Sequence, residues 1–217
     1  MSVHASEKEQ VEALRSWWKE NGRSVVTGVL LGVAALVGGK AWFNYQDSQS
    51  LNASNIYSQM MAAANAEGQQ DQVQAAADEL ISNYSSSGYA PLAALLLARQ
   101  AVDGGELAVA RAQLQWALDH AKSAEIAHIA RTRLVRVLIA EQQFTDAEQA
   151  LSAVADTGSF AYLYSELRGD LAQAQGQTAA AAAAYREALQ QVPPQASTQS
   201  LLNAKYESVE AGSEVAQ

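Results

Sequence analysis

Residues 169–193 read Gly-Asp-Leu-Ala-Gln-Ala-Gln-Gly-Gln-Thr-Ala-Ala-Ala-Ala-Ala-Ala-Tyr-Arg-Glu-Ala-Leu-Gln-Gln-Val-Pro, and this stretch decides the fold. Gly176 separates two segments built from Ala, Leu and Gln, all strong helix formers, and Pro193 stops the second. Ala181, Tyr185 and Ala188 follow the glycine at spacings of four and three, so they share one helix face. The same sentence is written twice more upstream. Gln142-Gln143-Phe144-Thr145-Asp146-Ala147 is followed by Leu151 and Val154, and Gly105-Glu106-Leu107-Ala108-Val109-Ala110 by Leu114 and Ala117. Ala147 to Ala181 is 34 residues; Ala110 to Ala147 is 37, the same period with three residues inserted near His120–Ile126. Twelve residues before Ala110, Ala147 and Ala181 stand Ala98, Val135 and Gly169, two of them the small residues at which paired helices cross. A weaker fourth unit precedes them, with Gly68 as its turn and Val73, Ala77 and Leu80 on its second helix.

Pro is nearly absent after the first forty residues and no alternating β-branched runs occur, so the chain is all-α. One helix pair cannot bury its apolar face alone. Repeated pairs therefore stack into a solenoid whose ends need polar caps, and a helix over 196–210, after Pro193-Pro194, is the expected C-terminal cap. The pattern of period, small residue, Gly turn, Ala, bulky apolar residue, Ala and Pro resembles the tetratricopeptide family. The third unit carries it best, in Gly169, Gly176, Ala181, Tyr185, Ala188 and Pro193. The resemblance departs where the family's early Trp falls at Ser165, its early Leu at Arg168, and where Val135, Gln142 and Val154 replace Gly or Ala. A plain helical bundle is the competing architecture.

The N-terminal part is a different kind of sequence. Ser24 to Gly39 holds no charge, and from Ala41 to Ala98 there is neither Lys nor Arg. Trp17 and Trp18 precede this run, and Trp42, Phe43 and Tyr45 follow it. Lys40 can extend its ammonium along the alkyl stem to an interface. The roughly 36 Å of helix from Trp18 to Trp42 matches a bilayer core with its aromatic belts. Lys8, Arg15, Lys19 and Arg23 all lie before the run, and basic flanks stay cytoplasmic. The reading is a cytoplasmic lead over 1–23, a single transmembrane helix over 24–45 and an outer repeat domain over 46–217. Ser6 to Glu9 fits a capping box for a short amphipathic lead helix, ended by Asn21-Gly22. A cleaved secretory leader is the alternative. The long lead with four acids, and Lys40 where a small-residue cleavage site belongs, argue against it. Within the span, Gly28, Gly32, Ala35 and Gly39 form one small-residue face on which another helix could pack, either a second copy or a different protein. The plainer reading is that Gly and Ala are common in membrane helices.

Charge divides the chain in the same place. Residues 1–40 carry a net +1 and residues 41–217 a net −10, together the −9 of the whole. An acidic outer domain excludes nucleic acid as a partner and suggests that any groove favours basic or amphipathic segments. No cysteine is present, which removes disulfides and thiol chemistry. His120 and His128, eight apart, lack the spacing of a helical metal pair, and His4 is far away in sequence. No nucleophile elbow, zinc-protease, dinucleotide or calcium-loop motif occurs. The expectation is no enzyme, no metal, no cofactor and no small-molecule substrate.

Gln10-Val11-Glu12-Ala13, Trp17-Trp18, Glu20-Asn21-Gly22 and Gly28-Val29-Leu30-Leu31-Gly32-Val33 together resemble the opening of the YfgM family, the ancillary subunits of the SecYEG translocon. The similarity continues through Val102-Asp103, Glu106-Leu107 and Leu167-Arg168-Gly169. The resemblance implies a single-pass protein of the bacterial inner membrane with a periplasmic tetratricopeptide-like domain. It also implies association with the translocon and with the periplasmic chaperone PpiD, to which emerging proteins are handed. It supplies no partner-binding residues. A soluble or self-associating periplasmic scaffold, unrelated to the translocon, is the second reading.

Overall fold

The computed structural model describes residues 3–215, with side chains from Glu9 to Ala211. His4 and the Ser6 end of the expected capping box lie outside the described side chains. Among the described residues there is no strand. The helices are α1 (Val3–Ala64), α2 (Gln70–Asn83), α3 (Tyr89–Asp103), α4 (Leu107–Asp119), α5 (Ala124–Ala140), α6 (Phe144–Ser152), α7 (Ala161–Ala174), α8 (Thr178–Gln191) and α9 (Gln199–Val215), with a 3-10 turn at Gly158–Phe160. The chain divides into two compact units, Met1–Leu51 and Asn52–Gln217.

The first unit is a stretch of α1. Val29, Leu30, Leu31, Val33, Leu36 and Val37 are all exposed on it, and this helix is long and apolar enough to cross a membrane. The Thr27 hydroxyl donates to the carbonyl of Arg23 at 2.8 Å, so the one hydroxyl inside the uncharged run beyond its first residue is satisfied within the helix. The expected break at Asn21-Gly22 is corrected, because α1 runs through both residues. Asn21 Nδ2 donates back to the carbonyl of Trp17 at 3.1 Å, and Gly22 is buried under the Trp18 indole. A glycine costs a helix interior about 1 kcal/mol relative to alanine. That is too little to end a helix whose hydrogen-bond ladder continues on both sides.

The second unit is the solenoid. The end of α1 packs with α2 and α3 in one apolar cluster, α3 pairs with α4, α5 with α6 and α7 with α8, and α9 closes the series. Three of the turns inside these pairs are built alike. In the first, Gly105 takes φ 76°, its N–H donates to the carbonyl of Val102 at 3.0 Å and the next N–H, of Glu106, to Ala101 at 2.7 Å. At Gln142 the corresponding distances are 3.0 Å to Ile139 and, from Gln143, 2.8 Å to Leu138. At Gly176 they are 2.9 Å to Gln173 and, from Gln177, 2.8 Å to Ala172. This pair of bonds is the Schellman termination, which satisfies two orphan carbonyls and requires a left-handed residue. In each case the carbonyl of the next residue already accepts the first bond of the following helix, from Ala110, Ala147 or Ala181. The reversal is completed within three residues. Gly68, at φ 75°, marks the turn of the first pair, with different bonding. The three inserted residues fall in the loop between α4 and α5, where Ser123 caps α5 by accepting from the Ile126 N–H at 3.3 Å.

Gln142 is the one residue other than glycine with positive φ among those described, at 58°. A left-handed L-residue costs about 1–2 kcal/mol, offset in part by the lower entropy of its unfolded chain. Gln142→Gly is therefore expected to stabilise the solenoid by about 0.5–1 kcal/mol, and Gly176→Ala to destabilise it by about 1 kcal/mol. Denaturation of the full-length protein followed by circular dichroism reads both, and two shifts of the same sign would contradict the assignment.

Candidate protein-interaction site

The residues that define the repeat occupy the helix crossings. Ala98, Ala110, Ala117, Ala147, Ala181 and Ala188 are buried, as is Gly169, while Gly105 and Gly176 supply the turns. The tightest crossing lies between α7 and α8. A Cβ at Gly169 would stand 2.5 Å from Tyr185 Cδ1, well inside contact, so only glycine lets this ring lie on the backbone of α7. At the equivalent places, Ala98 is matched with Leu114 and Val135 with Leu151, all four buried in one cluster. Only the third unit, with glycine opposite tyrosine, trades volume between the two helices; Val135 stands opposite a leucine, as Ala98 does.

Tyr185 also opens a polar cluster that ties down α9. Its hydroxyl donates to Asp170 at 2.8 Å and lies 2.7 Å from the Gln173 side-chain amide. Burial, the hydrogen bond to Asp170 and the charges of Asp170 and Glu166 together push its pKa well above the ordinary tyrosine range. Lys205 of α9 reaches across to Glu166 at 2.6 Å and to both oxygens of Asp170 at 2.7 and 2.9 Å. Glu166 is buried, so this ion pair is shielded from water as a surface pair is not. The cap starts at Gln199, a few residues after the position expected from sequence, because Val192 is extended ahead of Pro193-Pro194.

A groove of about 440 Å³ lies along α3 and α5, the first helices of two successive pairs. Its floor includes Ala98, Val102, Leu107, Leu114, Val137 and Ala140, and its walls carry Arg99, Arg133 and Arg136. Arg99 makes a loose pair with Asp103 at 3.7 Å, both largely exposed. Arg133 and Arg136 have no ion pair or hydrogen bond among the described residues. Burial lowers the pKa of Arg133 from the usual arginine value, and the charges of Arg136 and Arg99 add to the effect; it remains cationic at neutral pH. Three of the nine basic residues after Lys40 line this groove, whereas Asp71, Asp103 and Glu106 line another.

His120 and His128 are taken up by aromatic contacts. His120 stacks on Trp116 with ring centroids 4.0 Å apart, and its Nδ1 lies 2.9 Å from the Trp116 carbonyl. His128 stacks on Phe160, and its Nδ1 lies 2.9 Å from the Tyr164 hydroxyl. Tyr164 is fully buried, which raises its pKa. Among the described residues no three His, Asp or Glu side chains gather as a metal site would need. In the first unit, a Cβ on Gly28, Gly32 or Gly39 would meet nothing within 4 Å, and Ala35 is exposed, so this face is open.

An apolar N-terminal helix followed by stacked helix pairs whose turns recur at 37 and 34 residues defines a helical-repeat protein of the tetratricopeptide class. The model of the tetratricopeptide repeat-like domain family matches residues 15–211, a span that includes the apolar helix. The ancillary SecYEG translocon subunit of Escherichia coli strain K12 is 33% identical over 185 residues, covering 85% of this chain and 88% of that protein. The proteins of the same name from Neisseria gonorrhoeae and Haemophilus influenzae are 26% and 28% identical, covering 96% and 88% of this chain and 100% and 92% of their own lengths. The chain belongs to the family of ancillary SecYEG translocon subunits. No solved structure matches it significantly.

Lys205→Met leaves the buried Glu166 without its cation. The expected cost is about 1–3 kcal/mol, below that of a fully buried pair because Lys205 is partly exposed. Hydrogen exchange should accelerate in α9 and leave α3–α5 unchanged; uniform acceleration, or none, would contradict the capping role.

Proposed function

We propose that this chain is a non-catalytic, membrane-anchored adaptor that associates with the SecYEG translocon and links emerging secretory proteins to periplasmic chaperones such as PpiD. Residues 1–23 face the cytoplasm, 24–45 cross the inner membrane and 46–217 form the periplasmic domain. The observation that carries this reading is the extent of the match: correspondence to proteins named for their place beside the translocon runs through both the apolar helix and the solenoid. The orientation is supported by four basic residues before the span and none from Ala41 to Ala98. Exposed apolar side chains around the helix favour a lipid environment, since such a surface is costly in water. The open face of Gly28, Gly32, Ala35 and Gly39 suits close packing against another membrane helix. The link to PpiD rests on the family resemblance. Ser165 and Glu166, two of the buried polar residues, are engaged in holding helices together, through Gln191 and Lys205.

Two experiments test the proposal. Tagged full-length protein, purified from gently solubilised membranes, is expected to bring translocon components and the membrane-anchored chaperone with it; recovery of neither would overturn the association. The absence of native cysteine allows topology to be read with single replacements. In intact spheroplasts, a membrane-impermeant maleimide should label Lys122→Cys, and label Ser16→Cys only after lysis. The opposite pattern would reverse the orientation.

A further inference from the structure

We propose that the groove between α3 and α5 receives an acidic protein segment in which carboxylates flank an apolar anchor. This deepens the adaptor reading and rests on it, naming the chemistry of a partner for one face of the solenoid.

The argument begins with the repeat. Arg99, Arg136 and Asp170 each follow the crossing residue of their unit, Ala98, Val135 and Gly169, so they hold equivalent places on α3, α5 and α7. At the end of the solenoid this place is satisfied from within the chain, because Lys205 on α9 sits on Asp170. The groove between α3 and α5 has no such internal match. Arg99 on one wall meets Arg133 and Arg136 on the other, and like charge faces like charge. Arg133 and Arg136 lie three apart on one helix face, and neither has an acid of its own among the described residues. The loose, exposed pair with Asp103 occupies only Arg99. A ligand that brings carboxylates removes this repulsion and fills the fork of each guanidinium, which suits carboxylate geometry.

The floor decides between kinds of anion. A free phosphate or a single carboxylate would leave the apolar surface of Val102, Leu107, Val137 and Ala140 wet. Covering it asks for an aliphatic side chain between the charges, and a volume of about 440 Å³ is ample for one. An acidic peptide with a central Leu or Val supplies both. Specificity then comes from charge sign at the rim and from shape at the floor.

The test uses full-length protein in uncharged detergent and a short fluorescein-labelled peptide with pairs of Glu flanking Leu-Val, read by anisotropy. The counterpart with Gln for Glu is expected to bind at least tenfold more weakly. Arg133→Gln with Arg136→Gln should weaken the acidic peptide about tenfold, the sum of two partly exposed ion pairs. The double change Lys122→Gln with Arg168→Gln removes two exposed charges elsewhere and should leave binding unchanged. Melting temperatures within error of the parent exclude misfolding as the cause. Equal binding of the Gln peptide, or equal loss in the control double variant, would overturn the proposal. So would arginine-dependent binding of phosphatidylglycerol vesicles with no binding of the peptide, since the groove would then take lipid headgroups. The assay contains no translocon, so its failure leaves co-purification standing, and loss of co-purification with intact peptide binding fails only the adaptor reading.

Discussion

Everything in the solenoid depends on one backbone event, the left-handed residue that ends the first helix of a pair. At Gly105, Gln142 and Gly176 it lets two orphan carbonyls be satisfied while the chain reverses within three residues. A reversal that short leaves no freedom in how the second helix starts, so the register of every crossing follows from it. Gly169 meets Tyr185, and Ala98 with Leu114 and Val135 with Leu151 stand at the same places in their units, because the spacing from turn to crossing is the same each time. The position after each crossing residue therefore recurs on the same face of the stack. Whatever charge evolution puts there, Arg, Arg or Asp, appears in a groove rather than at random on the surface.

That recurrence explains how an acidic domain comes to hold a cationic groove. Net charge sums over a surface, whereas a binding face samples only the residues that the repeat brings to it. The domain arranges its charges in two ways. Near α9, Glu166, Asp170 and Lys205 neutralise one another and fasten the cap, and Tyr185 contributes its hydroxyl to the same cluster. Along α3 and α5 the arginines are left facing one another. The contrast between these arginines and the satisfied cluster at α9 is what supports the proposal of a partner for this groove.

The features legible in the sequence were local or periodic. The turn residues, the small residues twelve before Ala110 and Ala181, the uncharged run Ser24–Gly39 and the fourth unit around Gly68 all follow from spacing along the chain. One expectation is corrected by the structure, for a physical reason. Asn21-Gly22 looked like a helix end because those residues are common at caps, yet the ladder of α1 outweighs the small penalty of one glycine. The acidic total of the domain carries no positions, so it does not report the arginines along α3 and α5. The signal for the groove was present all the same, in the residue that follows Ala98 and Val135, and it needed the alignment of repeats to be read.

Sequence alone determined the class of fold, the number of residues per repeat and the apolar segment, because helix propensity, turn chemistry and hydropathy act over a few residues at a time. Tertiary structure decided which charges would be neighbours. Arg99 and Arg136 are 37 residues apart, and Lys205 is 35 from Asp170. Only the packing of one helix pair on the next brings each set together. It leaves the first set facing like charge and gives the second its counter-ion, since the distance between side chains across a groove is fixed by helix packing and not by separation along the chain.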